Sequence, residues 1–166
     1  MQILFYLIWL MLLTVLQSTV ARGIDIWGIA PNLFLSFVVL AGFSRGRMEG
    51  AICGAVFGLV YDILIGRMIG VNSLCYLYLG FAAGVLSERF FSGQKRMAAV
   101  LASVVGTILS ALVYYFARLA VHGDIGFLMA IFRIGIPEAI YNGCICFLLS
   151  FPVAGLMKLM RIKKIS

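Results

Sequence analysis

Followed along the chain, apolar and polar positions separate into long apolar runs divided by short polar breaks. The first run covers Gln2 to Ala21, and a break from Arg22 to Gly28 leads to Pro31. Proline suits the first turn of a helix, because its missing N–H is not needed there. The second helix is therefore predicted from Pro31 to about Phe43, with Arg45-Gly46-Arg47-Met48-Glu49 as a tight charged turn after it. A third helix is predicted from Met48 to about Ile65 and is broken by Gly66 to Gly70; a fourth covers about Val71 to Leu86. Glu88 to Arg96 reads as a polar loop and Met97 to Val121 as the fifth helix. His122 to Ile134 is mixed and could hold an interfacial piece, and Pro137 opens a sixth helix that ends near Met157. The runs are long and continuous rather than alternating, so they predict helices and not the strands of a membrane barrel.

Composition turns these helices into spans. The chain has 166 residues, 64% of them hydrophobic and 11% charged, with a mean hydropathy of +1.13. A water-soluble fold of this length has too little interior for so much apolar surface, whereas lipid accepts apolar side chains on the outside as well. Each span takes roughly 20 apolar residues. The expectation is an all-α fold: one integral membrane domain over residues 1–166, a polytopic helical bundle of about six transmembrane helices. The first run has no basic segment ahead of it, so it is read as a retained helix, although Thr19-Val20-Ala21 loosely resembles a signal-peptide cleavage site.

Charge gives the orientation. With six spans the two termini share a side. Placing the C-terminal tail inside puts Arg45, Arg47, Arg89, Lys95, Arg96, Lys158, Arg161, Lys163 and Lys164 in the cytoplasm. Only Arg22, Arg67, Arg118 and Arg133 fall on or near the far side, so the excess of basic loops predicts both termini cytoplasmic. The net charge of +7 is then accounted for by anionic lipid headgroups as partners of these loops, without a nucleic acid.

Two groups of residues are candidates for more than span-filling. Gly50, Gly54 and Gly58 recur every four residues on one face of the third helix, and Gly80 and Gly84 repeat the spacing on the fourth. Small residues at this interval let helix backbones approach closely within a membrane, either inside the bundle or as a docking face for a partner helix. The second group is polar. Asp62 lies toward the outer end of the third helix, at the depth of Gln17, Asn32, Asn72, Arg118, Glu138 and Asn142. Intramembrane charge is costly and needs a partner. Asp62 and Glu138 cannot both stay ionised in apolar surroundings without a cation or a raised pKa, and Arg67, Arg118 and Arg133 are the candidate cations. The set reads either as a buried network fixing helix register or as a binding or proton-relay site.

Other chemistry is sparse. Cys53, Cys75, Cys144 and Cys146 fall within predicted helices and read as buried, inert thiols; His122 is the single histidine. No phosphate-cradling loop, dinucleotide fingerprint or nucleophile elbow occurs, and no cofactor is implied. Trp27, Tyr114 and Tyr115 suit interface anchors. An intramembrane aspartyl peptidase needs two facing aspartates, and Asp124 lies in a loop.

Leu16-Gln17-Ser18-Thr19, Pro31-Asn32-Leu33, Arg45-Gly46-Arg47 and Gly58-Leu59-Val60-Tyr61-Asp62 followed by Gly66 come in an order that resembles the MreD family of rod-shape-determining proteins. Gly70-Val71-Asn72-Ser73-Leu74, the pair Gly80 and Gly84, and Pro137-Glu138-Ala139-Ile140-Tyr141-Asn142 extend the likeness over nearly the whole chain. One departure is Asn32, where many relatives carry Asp. The resemblance implies a non-enzymatic scaffold of the bacterial cell-elongation machinery in the cytoplasmic membrane. It would bind MreC and, through it, join MreB, RodA and a class B penicillin-binding protein. The family is also similar in fold to substrate-binding membrane subunits of energy-coupling-factor transporters. That likeness supplies the alternative of a vitamin or small-solute binder, with Asp62, Asn72, Arg118, Glu138 and Asn142 as lining residues.

Overall fold

A computed structural model of the chain describes residues 2–23, 30–65, 70–89, 95–122 and 135–159. All regular structure among them is helical. The elements are α1 (Gln2–Gly23), α2 (Leu33–Arg45), α3 (Arg47–Ile65), α4 (Val71–Arg89), α5 (Lys95–His122) and α6 (Ile136–Leu159). Trp27, Arg67, Asp124, Arg133 and most of the His122 to Ile134 segment lie outside the described residues.

The bundle is organised around α2. Eleven of its 13 residues are buried, and it touches all five other helices. At about 1.5 Å per residue it is only some 20 Å long. Asn32 caps its start, accepting the Leu35 N–H at 3.0 Å. Gly46, at φ 100°, turns the chain sharply at its end and returns its N–H to the Gly42 carbonyl. Phe34 and Phe37 carry the core outward: Phe37 stacks on Phe57 of α3 at 5.0 Å and meets Trp9 of α1 at 5.0 Å.

The tightest packing is α3 against α4, and glycine makes it possible. A methyl group on Gly54 would fall on the Tyr76 carbonyl, and one on Gly58 would come within 2.6 Å of the Ser73 Cα. Gly50 and Gly42 face the Gly80 backbone, and Gly84 faces the backbone of Arg47. All five glycines singled out from sequence thus line contacts inside the chain. α4 covers the glycine face of α3, which is therefore no outer docking face.

The outside of the bundle is apolar. Ile3, Met11, Ile52, Ile63, Leu101 and Ile140 are each more than three-fifths exposed, a surface that water would not tolerate on this scale. Among the described residues, three helices are long and apolar enough to cross a membrane: Arg47–Ile65, Arg96–Phe116 and Ile136–Leu156. Ile3–Thr19 and Leu33–Arg45 are shorter apolar stretches.

Candidate functional site

The polar residues gather at the start of α2, where the chain is not helical from residue 30 to 32. Buried backbone groups need partners, and side chains from two neighbouring helices supply them. Gln17 of α1 donates to the Pro31 carbonyl and accepts the Leu33 N–H, each at 2.9 Å. Asn142 of α6 accepts the Asn32 N–H at 2.7 Å and donates to Thr107 of α5 at 2.9 Å. The Asn32 amide donates to the Tyr76 hydroxyl of α4. Ser36 and Ser103 both donate to the Asn142 carbonyl, at 3.1 and 3.4 Å. Asn32, Tyr76 and Asn142 are buried. One cluster therefore joins α1, α2, α4, α5 and α6, and it uses both the donor and the acceptor of each amide.

Asp62 and Asn72 form a second cluster, one turn away along α4. The Asp62 side chain, 1% exposed, accepts from the Gly70 N–H at 2.8 Å, the Asn72 amide at 2.7 Å, the Asn72 N–H at 3.3 Å and the Ser73 N–H at 3.2 Å. It caps α4 from a different helix. The free N–H groups and positive dipole end of α4 act where the sequence suggested an arginine. The described part of the structure places no cation against Asp62.

The remaining candidates take no part in these hydrogen bonds. Glu138 lies in the first turn of α6, half-buried. It makes no hydrogen bond or ion pair with another described residue. Arg118 lies in α5, and its side chain is outside the described part. Cys53 and Cys146 are buried, Cys75 is half-buried and Cys144 is exposed on the outer surface. The expectation of four buried thiols therefore fails at Cys144, because its position on α6 faces away from α2 and α5.

A third polar group lies at the other end of α2. Arg45, 4% exposed, bonds Glu49 at 2.7 Å across the Gly46 break. Tyr6 of α1 donates to the same carboxylate oxygen at 2.8 Å. The sequence placed Arg45 and Glu49 in a tight charged turn. The four-residue spacing of Arg and Glu was visible, but burial under α1 was not. Tyr76, Ser103 and Thr107 were also missed, since single hydroxyls inside apolar runs carry no signal of their own. Ser103 and Thr107, four apart on α5, were the only available hint.

Comparison with protein families gives a match. Residues 1–160 fit the family described as rod shape-determining protein MreD. No curated protein and no solved structure matches.

Proposed function

The chain belongs to the MreD family of rod shape-determining proteins, and from that premise we propose that it is a non-enzymatic scaffold of the bacterial cell-elongation complex. In this reading it crosses the cytoplasmic membrane six times with both termini inside, and it binds MreC. MreB, RodA and a class B penicillin-binding protein join it indirectly.

The observation that carries the scaffold reading is that the polar clusters bond internally, with the oxygen and the nitrogen of each amide engaged by protein groups. A solute site needs convergent polar groups with bonding capacity left over for the ligand. Gln17 and Asn142 bond the start of α2, Asn142 also bonds α5 and Asn32 bonds α4, and Asp62 bonds the start of α4. Such groups hold helices in register, and recognition is left to the outer faces. The geometry also suits the membrane. At about 20 Å, α2 stops short of a hydrocarbon core of roughly 30 Å, so its non-helical start falls at membrane depth. Irregular backbone is tolerated there only when protein groups satisfy it, as Gln17 and Asn142 do.

The test is a pull-down of the tagged full chain from native membranes in mild detergent, with mass spectrometric identification of what it retains. Recovery of MreC together with the elongation synthases is expected. Recovery of an ATPase pair and a coupling membrane subunit would replace the scaffold by a transporter's binding subunit.

A further inference from the structure

The two ends of α1 are held to the bundle in different ways. Toward its C-terminal end, Gln17 makes two hydrogen bonds to the start of α2, each at 2.9 Å. They satisfy the Pro31 carbonyl and the Leu33 N–H, where α2 has not yet become helical. Toward its N-terminal end, Tyr6 donates to Glu49 in the first turn of α3 at 2.8 Å. A groove between α1 and α3 runs along this half, with Ile3, Tyr6, Leu7 and Leu10 on its α1 side. Trp9 lies in the same half and is 2% exposed, yet its indole N–H has no acceptor among the described residues.

We propose that α1 pivots about the Gln17 bonds, and that Tyr6 on Glu49 is the latch that closes its N-terminal half against α3. In lipid, α1 loses no shelter from water by moving, because the surroundings are as apolar as its neighbours. Its 22 residues match the roughly 20 that cross a bilayer unaided. Release of the latch end forfeits the Trp9–Phe37 contact, whereas the Phe5–Trp9 contact lies within α1 and travels with it. Closure gives the indole N–H no hydrogen bond, so none is lost there. Tyr6 and Glu49 lie near the starts of their helices, so in the membrane they sit close to an interface, where water replaces the latch bond. Glu49 keeps Arg45 at 2.7 Å, and opening therefore leaves no buried charge unpaired, the costly outcome for such a pair. The Gln17 end has no such freedom: letting go would strand two backbone groups at membrane depth. From Tyr6 to Gln17 is about 16 Å at 1.5 Å per residue. A tilt of about 20°, common for membrane spans, moves the Tyr6 end by about 5–6 Å. Opening widens the groove and uncovers the Phe37 ring. This pivot depends on the membrane placement and not on any protein partner.

The test uses the full chain in vesicles of phosphatidylethanolamine and phosphatidylglycerol, with spin-labelled noncanonical residues placed in pairs and their separations read by double electron–electron resonance. One pair, at the exposed positions Leu4 and Phe81, reads the latch end. The other, at the exposed positions Val15 and Leu74, reads the pivot end. The latch pair is expected to show two populations about 5 Å apart, the displacement that the lever gives, and the pivot pair one. Tyr6→Phe removes the hydroxyl alone and is expected to at least double the displaced population at the latch end, leaving the pivot pair unchanged. A single separation for the latch pair in the wild type overturns the proposal, and this reading stands even where the variant does not fold. An unchanged latch distribution in folded Tyr6→Phe overturns it too. Equal broadening at both ends means that α1 leaves as a whole and does not pivot at Gln17, which also overturns it. A label at Leu101 that relaxes with oxygen and not with a water-soluble nickel complex reads membrane embedding separately.

Discussion

The two flanks of α3 are built on opposite plans. Toward α4, Gly50, Gly54 and Gly58 bring backbone against backbone, with Gly80 answering from the other helix. Toward α1, Ile52 and Val56 hold the neighbour off and leave a groove. Both flanks are apolar, so hydrophobicity does not explain the difference. In lipid the surroundings are as apolar as leucine, and closeness is decided by side-chain size and by hydrogen bonds between helices. The seam has both, because Ser73 of α4 also donates to the Ala55 carbonyl at 2.9 Å. The α1 flank is instead pinned at its two ends, by Tyr6 on Glu49 and by Gln17 on the start of α2, with Phe5, Trp9 and Leu13 buried between.

The contrast can be broken at the seam first. Gly54→Leu puts side-chain atoms where the Tyr76 carbonyl stands, and no rotamer relieves a clash that begins at Cβ. The cost is expected to exceed the roughly 1–3 kcal/mol of ordinary overpacking, leaving no monodisperse species in detergent by size-exclusion chromatography. A wild-type elution profile would mean that α3 and α4 are not in backbone contact. Next in size is Asp62→Leu, which strips the start of α4 of its acceptor. Each buried donor left unsatisfied costs about 1–3 kcal/mol, and several are left, so melting should fall well below wild type. Asp62→Asn, which keeps one acceptor oxygen, should fall less. Equal losses in the two would show that the acceptor is not what matters there.

On the looser flank the effects shrink. Gln17→Leu removes two hydrogen bonds to residues 31 and 33. A loss of about 1–3 kcal/mol is expected from the two bonds together, read as a modest drop in thermal stability with the fold retained. A drop as deep as that of Asp62→Leu would put the α1 pin on a par with the seam. Smallest is Ile52→Ala on the groove rim, expected within about 0.5 kcal/mol of wild type, as for substitutions outside the packed interior. A larger loss in purified, delipidated protein would mean that α1 and α3 close on each other there.

Helix positions were largely legible because each helix is a long, mostly apolar run. The predicted second helix, Pro31 to Phe43, lies within two residues of the observed Leu33–Arg45, and the third helix ends at Ile65 as expected. The glycine spacing marked the seam on α3 and α4, but Gly42 on α2 went unremarked because no second glycine accompanies it on that helix. The candidate polar set was legible as residue types at one depth and not as pairs. Gln17, Asn32 and Asn142 do meet, whereas Asp62 bonds α4's first N–H groups, which any sequence possesses and none displays. Burial of Arg45 was illegible for a related reason. Its cover is a tyrosine 39 positions earlier in the chain, and no local pattern reports on a contact that distant.

The burial of α2 bears on how the protein is made. A segment of 13 residues is short of the roughly 20 that hold a helix across a bilayer by partition alone, and none of its flanks is left over for lipid. It cannot rest in the membrane as an independent unit while the ribosome is still extending the chain. Its stable insertion depends on α3, which follows after a single residue, and is completed when α4, α5 and α6 emerge and close around it. In the six-span reading, synthesis order and packing order therefore part company here: the second helix to leave the ribosome gains its final neighbour only when the sixth follows.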